Sequence, residues 1–218
     1  MKNLAALFMG ALVLAGCGTV RYPTSYVLNF PPPVPQAGSI NGALSAVAVR
    51  EFQCPEYLCE GRIVYRSSPE EVGSYEYHRW AMNPRQAITQ YVVESLRAQS
   101  AFKSVAVHER GSEAAYMLTG TIEQLEELDH GRDVRVVCRI SAQLVETRTR
   151  SVIWSHVASE TISVEKPDMR GVVSSLSAAA RSAADRLLKS MTEEVLATMA
   201  LSGGTANSVA TSAVAAAR

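Results

Sequence analysis

Apolar and polar positions alternate along the chain in blocks, and each block predicts an element. Leu44 to Phe52 is a near-continuous apolar run, with Leu44, Ala46 and Ala48 on one side and Val47 and Val49 on the other. Such a run fits a strand covered on both faces. Arg62 to Arg66 is a second short strand, and Ser74 to Trp80 alternates as its hairpin partner. A helix follows over 84–99. Asn83 is a suitable N-cap, Pro84 suits the first helical position, Gln86 can complete a capping box, and Ile88, Tyr91, Val92 and Leu96 recur at helical spacing. A strand over Ser104 to His108 comes next.

The second half reads as a meander. Ala115 to Leu128 carries Tyr116, Leu118, Gly120 and Ile122 on one face, and His130-Gly131-Arg132 supplies a turn. Val134 to Glu146 alternates: Val134, Val136, Cys138, Ile140, Ala142 and Leu144 face one way. Arg135, Arg139, Ser141 and Gln143 face the other, with Val137. This predicts a sheet with one dry and one largely wet face. Thr147 to Arg150 turns the chain, and Ser151 to Val164 returns with Trp154. Pro167-Asp168 caps a final helix over 169–200, whose stripe runs through Val172, Val173, Leu176, Ala180, Ala183, Leu187, Met191 and Val195. The predicted fold class is α+β: an antiparallel or mixed sheet of five to six strands, with two main helices packed on one face.

The N-terminus has a different pattern. One Lys2 precedes an apolar run from Leu4 to Leu14, too short for a transmembrane helix of roughly 20 residues. The run closes on Leu14-Ala15-Gly16-Cys17. A basic start, a short apolar core and small residues at the cut mark a signal peptide, and a thiol just after the cut marks lipoprotein processing. Residues 1–16 are expected to be removed and Cys17 to carry lipid. Two or more acyl chains anchor stably where one does not. Gly18 replaces the aspartate that usually retains such proteins at the inner membrane, so the outer membrane is the expected address. Residues 17–42 read as a lipidated terminus and proline-rich tether, with Pro31-Pro32-Pro33-Val34-Pro35 favouring extended polyproline II. Tyr26 to Phe30 is apolar enough to pair with the domain as an edge strand. The folded domain is expected over 43–201, and 202–218 as a disordered tail or a frayed helix extension.

Charge narrows the function. Lys plus Arg and Asp plus Glu each number 21 in 218 residues; such a chain has no electrostatic footprint for nucleic acid. Cys54 and Cys59 leave three states open: a local disulfide, favoured in an oxidising compartment, two free thiols, or a poorly spaced metal pair. Cys138 reads as a small buried hydrophobe. No catalytic motif is present, neither Gly-x-Ser-x-Gly nor His-Glu-x-x-His, and no cofactor or metal is expected. His78, His108, His130 and His156 are dispersed. The acidic stretch Glu123, Glu126, Glu127 and Asp129 reads as a wet strand edge. Tyr75, Tyr77, Arg79 and Trp80 form the preferred partner-contact segment, since Tyr, Trp and Arg are enriched in binding hot spots; a Trp80 that simply plugs the end of the sheet weighs equally.

The ordered set of segments resembles the ABC-type transport auxiliary lipoproteins, the PqiC/YmbA-like group. It comprises the lipobox, Tyr26-Val27-Leu28, Arg62-Ile63-Val64-Tyr65-Arg66, and Tyr75-Glu76-Tyr77-His78-Arg79-Trp80 before a proline-initiated helix. Phe102-Lys103-Ser104-Val105, Tyr116 to Glu123, and Leu144 to Arg150 leading into Ile153-Trp154 complete it. The Cys54/Cys59 pair departs from that pattern, as does Arg150 where a turn glycine is usual. The resemblance implies a non-enzymatic outer-membrane lipoprotein. Its partners would be an ABC transporter and that transporter's mammalian-cell-entry (MCE) periplasmic protein, in a system moving lipids between membranes or maintaining the outer membrane. Ring-like symmetry in some such systems leaves room for a homo-oligomer. The alternative is a structural or regulatory cell-envelope lipoprotein unconnected to a transporter.

Overall fold

A computed structural model of the chain describes residues 21–35 and 42–215, apart from 112, 130 and 132. Residues 1–20, with Cys17 and Gly18 among them, and His130 and Arg132 lie outside the described residues. Eight strands form one mixed sheet: β1 Thr24–Tyr26, β2 Val47–Val49, β3 Arg62–Ser68, β4 Glu71–Trp80, β5 Val105–Val107, β6 Tyr116–Asp129, β7 Val134–Glu146 and β8 Ser151–Ser163. The helices are α1 Glu56–Cys59, α2 Pro84–Gln99 and α3 Met169–Ala215. The class is α+β as expected. The strand count exceeds five or six because all seven segments read as strands, together with the edge strand at Thr24–Tyr26, join one sheet.

The long antiparallel meander β6–β7–β8 is its backbone. The other edge of β6 is shared. Its first half pairs in parallel with β2, which carries β5 beyond it. Its second half pairs in parallel with β3, which continues through antiparallel β4 to parallel β1. The predicted run over 44–52 thus contracts to a three-residue strand, flanked by single bridges from Leu44 to Phe102 and Gln53 to Thr121.

Local chemistry sets the helix ends. Asn83 Oδ1 accepts from Arg85 N at 3.0 Å, and its side-chain amide donates to Cys59 O at 3.2 Å. α2 stops at Ser100, a left-handed cap with φ 54°. Asp168 Oδ1 accepts from Gly171 N at 2.7 Å and opens α3. α3 does not stop near 200 but continues to Ala215.

The core lies between the sheet and the helices. Every residue of the predicted α3 stripe is buried, and Ala179, Ala180, Ala183 and Ala184 are at most 1% exposed. Small side chains there let α3 lie close on β7 and β8. A single apolar cluster joins these to Leu118, Ile122, Ile140 and Leu144 of the meander and to Ile88, Val92 and Leu96 of α2. Gly120 makes room for the Phe52 ring: a Cβ there would fall 2.3 Å from it.

Candidate functional site

The predicted contact segment lies on β4, and the structure divides it. The β3–β4 ladder is irregular between the Arg62–Arg79 and Val64–Ser74 pairs, so strict alternation fails along 74–79. Trp80 turns into the core at 8% exposure. Tyr75 is half-buried, and its hydroxyl donates to Glu127 Oε2 at 2.8 Å. Tyr77 and Arg79 alone face solvent. Tyr65, Tyr75, His78 and Tyr26 make a row of ring contacts, with centroids 5.0, 5.6 and 5.7 Å apart. The row, with Tyr75 in it, ties β3, β4 and β1 together, while Trp80 lies in the apolar core.

The acidic stretch reaches solvent at Glu123 and Asp129 but not at the two glutamates between them. Glu126 is 0% and Glu127 4% exposed. The β6–β7 register shifts between Ile122 and Gln124. Beyond that bulge Leu125 and Glu127 lie on the core side, and Glu126 lies on the other side opposite Val137. Arg66 answers Glu126 with Nε donating to Oε1 at 2.8 Å and Nη2 to Oε2 at 3.1 Å, and Gln124 Nε2 adds a bond of 3.0 Å. Arg66 Nη1 also donates to Pro69 O. Burial pushes the Glu127 carboxyl above the usual carboxylate range, and the Tyr75 hydrogen bond opposes that rise. The Tyr75 hydroxyl is itself pushed up by burial and by Glu127.

The cover over Glu126 is the loop 54–59. Cys54 and Cys59 are joined in a disulfide, and α1 within that loop packs on β3 and β6. Leu58 becomes 2% exposed there, with Val64 at 2% and Val137 at 6%. These three sit apart from the main core. Tyr57 approaches the ion pair, and burial and then Glu126 raise its hydroxyl.

On the opposite side, residues 27–34 cross the helices as a strap. Asn29 N donates to Ser177 Oγ at 3.0 Å, and Phe30 packs on Tyr91 with ring centroids 4.7 Å apart. Pro31 to Val34 then line a groove of about 790 Å³ between α2 and α3. Tyr91 donates to Asp185 Oδ1 at 2.7 Å across that groove; burial first, and that bond second, raise its hydroxyl to about 12. Cys138 is 0% exposed, and burial raises its thiol to about 12, which suits packing and not nucleophilic chemistry.

Among the described residues no three metal-ligating side chains assemble, and no helix is long and apolar enough to cross a membrane. His156 stacks on Trp154, while His78 belongs to the aromatic row. The chain matches the model of the ABC-type transport auxiliary lipoprotein component over residues 26–187. It belongs to that family. The auxiliary component therefore begins, by this match, at the last residue of β1 and ends within α3, at Leu187. No curated protein matches the chain. Protein XCC0632 from Xanthomonas campestris is similar in structure, with a TM-score of 0.70 at 16% identity, covering 81% of this chain and 99% of that one. A second solved structure, of an uncharacterized protein, aligns with a TM-score of 0.61 at 18% identity over 78% of this chain and 99% of its own. The hypothetical protein CT253 from Chlamydia trachomatis gives 0.50 at 10% identity, with coverages of 71% and 99%. At such identities these likenesses speak for the fold of the auxiliary component alone.

Proposed function

We propose that this auxiliary lipoprotein is anchored to the outer membrane through acylated Cys17 and serves an MCE-type ABC system that moves lipids between membranes. Its role is to hold the periplasmic partner near that membrane, without catalysis of its own. The observation that carries the reading is the position of β1. The sheet takes up the chain at Thr24, seven residues after Cys17 in the sequence. Seven extended residues span at most about 25 Å, so a lipid at Cys17 keeps the domain at the membrane surface. Confinement raises the effective concentration of a weak docking module. Family membership supports a tethering role, and the buried Cys138 thiol is suited to packing rather than nucleophilic chemistry.

Crosslinking in cells followed by purification in detergent tests this reading. The expected result is recovery of an MCE protein with the full chain, and its loss from membrane fractions with Cys17→Ser. Repeated recovery of envelope-assembly proteins without any transporter component would favour the structural-lipoprotein alternative.

A further inference from the structure

Arg62 and Arg79 are directly opposed across the β3–β4 pair. Trp80 N donates to Gly61 O at 2.8 Å, so the next pair along, Arg62 and Arg79, is of the closely spaced type without mutual backbone bonds. Their side chains leave the same face, and both residues are exposed. Like charges placed this way destabilise a sheet unless something answers them. Among the described residues neither arginine has an ion-pair partner: the six recorded salt bridges involve other groups. Glu76, on the same strand as Arg79, is engaged by the Tyr77 hydroxyl.

β1 completes the row. Ser25 is the parallel partner of Arg79 and is exposed, so a hydroxyl and two guanidiniums line up across three strands. Ser25 lies eight residues after Cys17, a reach of at most about 28 Å. Upstream of Thr24 the chain heads past Tyr77, which is 38% exposed, and Tyr22 on that stretch is 83% exposed. Tyrosine is enriched at the headgroup level of membranes, and arginine is attracted to anionic leaflets.

We infer that Arg62 and Arg79, with Ser25 beside them, bind the phosphates of anionic phospholipid headgroups and set the domain's orientation on the membrane that Cys17 anchors it to. This rests on the anchoring reading above. The lipid brings the row to the surface, and headgroup phosphate supplies the negative charge that the fold leaves out. Each guanidinium presents a fork of donors suited to phosphate oxygens.

The test uses the full chain, extracted from membranes and reconstituted into vesicles of phosphatidylcholine alone or of equal parts phosphatidylcholine and phosphatidylglycerol. Amide hydrogen exchange is followed at 24–26, 62–66 and 77–80, and the N-terminal peptide is weighed by mass spectrometry. Protection of these segments is expected to rise on the anionic vesicles and to fall about fivefold for each of Arg62→Gln and Arg79→Gln. Amides of β6 and β7 report whether each variant is folded, and the double variant Arg62→Lys, Arg79→Lys should keep most of the protection. Equal exchange of the wild-type chain on the two vesicle types overturns the inference while the mass still shows acylation. An unacylated Cys17 overturns the anchoring reading and this inference with it. Glutamine variants that retain full vesicle protection but no longer recover the periplasmic partner assign the pair to protein contact and equally overturn it.

Discussion

Replacing Arg66 by Met should cost far more stability than neutralising its partner. Glu126 is wholly buried, whereas the Arg66 side chain keeps 21% of its exposure. Arg66→Met strands a carboxylate with only the Gln124 amide to answer it. Breaking a buried pair from one side costs roughly 3–5 kcal/mol. For a domain of this size that lowers Tm by about 6–20 °C. Glu126→Gln leaves a guanidinium that can turn toward water and still bond Pro69 O, so about 1–2 kcal/mol is expected. The double change Arg66→Met, Glu126→Met replaces the pair by apolar groups of similar length and should recover most of the loss. Urea unfolding followed by the fluorescence of the buried Trp80 and Trp154 measures all four proteins. An Arg66→Met loss below about 1 kcal/mol, or a double variant as unstable as Arg66→Met, would show that Glu126 is not sealed from water by the disulfide-closed loop.

Glu127 gives stability a pH dependence of definite sign. Its folded-state pKa is raised above the ordinary 4.5, so the native state holds the proton more tightly; its contribution is full below 4.5 and is lost as pH rises through the folded value. Tyr75→Phe removes the bond that opposes the rise and should move that loss to higher pH, while Glu127→Gln should flatten it; unfolding curves across this range read both. Gly171→Ala should destabilise by about 1–3 kcal/mol, against the helix-favouring effect of alanine, because a Cβ there would fall 2.0 Å from the Lys166 carbonyl oxygen; a thermal melt above wild type would refute it. Arg150 holds φ 58° in the β7–β8 turn, so Arg150→Gly should stabilise by about 1 kcal/mol, and a fall in Tm would show that the arginine side chain contributes more than its backbone strain costs.

Much of the fold was legible where one periodicity ran undisturbed. β7 and the stripe of α3 obeyed their patterns because each presents a single face to one core. Asn83-Pro84 marked the start of α2, and its cap forms through Asn83 as read. The reading failed where registers slip. The shift at Ile122–Gln124 buries both members of Glu126-Glu127, and nothing in a single strand's alternation reveals a bulge. A usable signal lay in the flanking Leu125 and Leu128, since acids enclosed by leucines in a strand are poor candidates for a wet edge. Likewise, the irregular β3–β4 ladder divides Tyr75 and Trp80 from Tyr77 and Arg79, which alternation could not do. The opposition of Arg62 and Arg79 depends on pairing between strands and is invisible along the chain.

The way β1 joins the sheet also decides how the domain carries load. Thr24, Ser25 and Tyr26 run parallel to His78, Arg79 and Trp80, so a pull from the N-terminal side acts along the strand and shears all three pairings together instead of peeling them one at a time. Leu28 and Phe30, packed on the core just beyond, sit behind the strand like a knot behind a hole. Traction on the N-terminal segment would thus meet a mechanical clamp before it reached the meander.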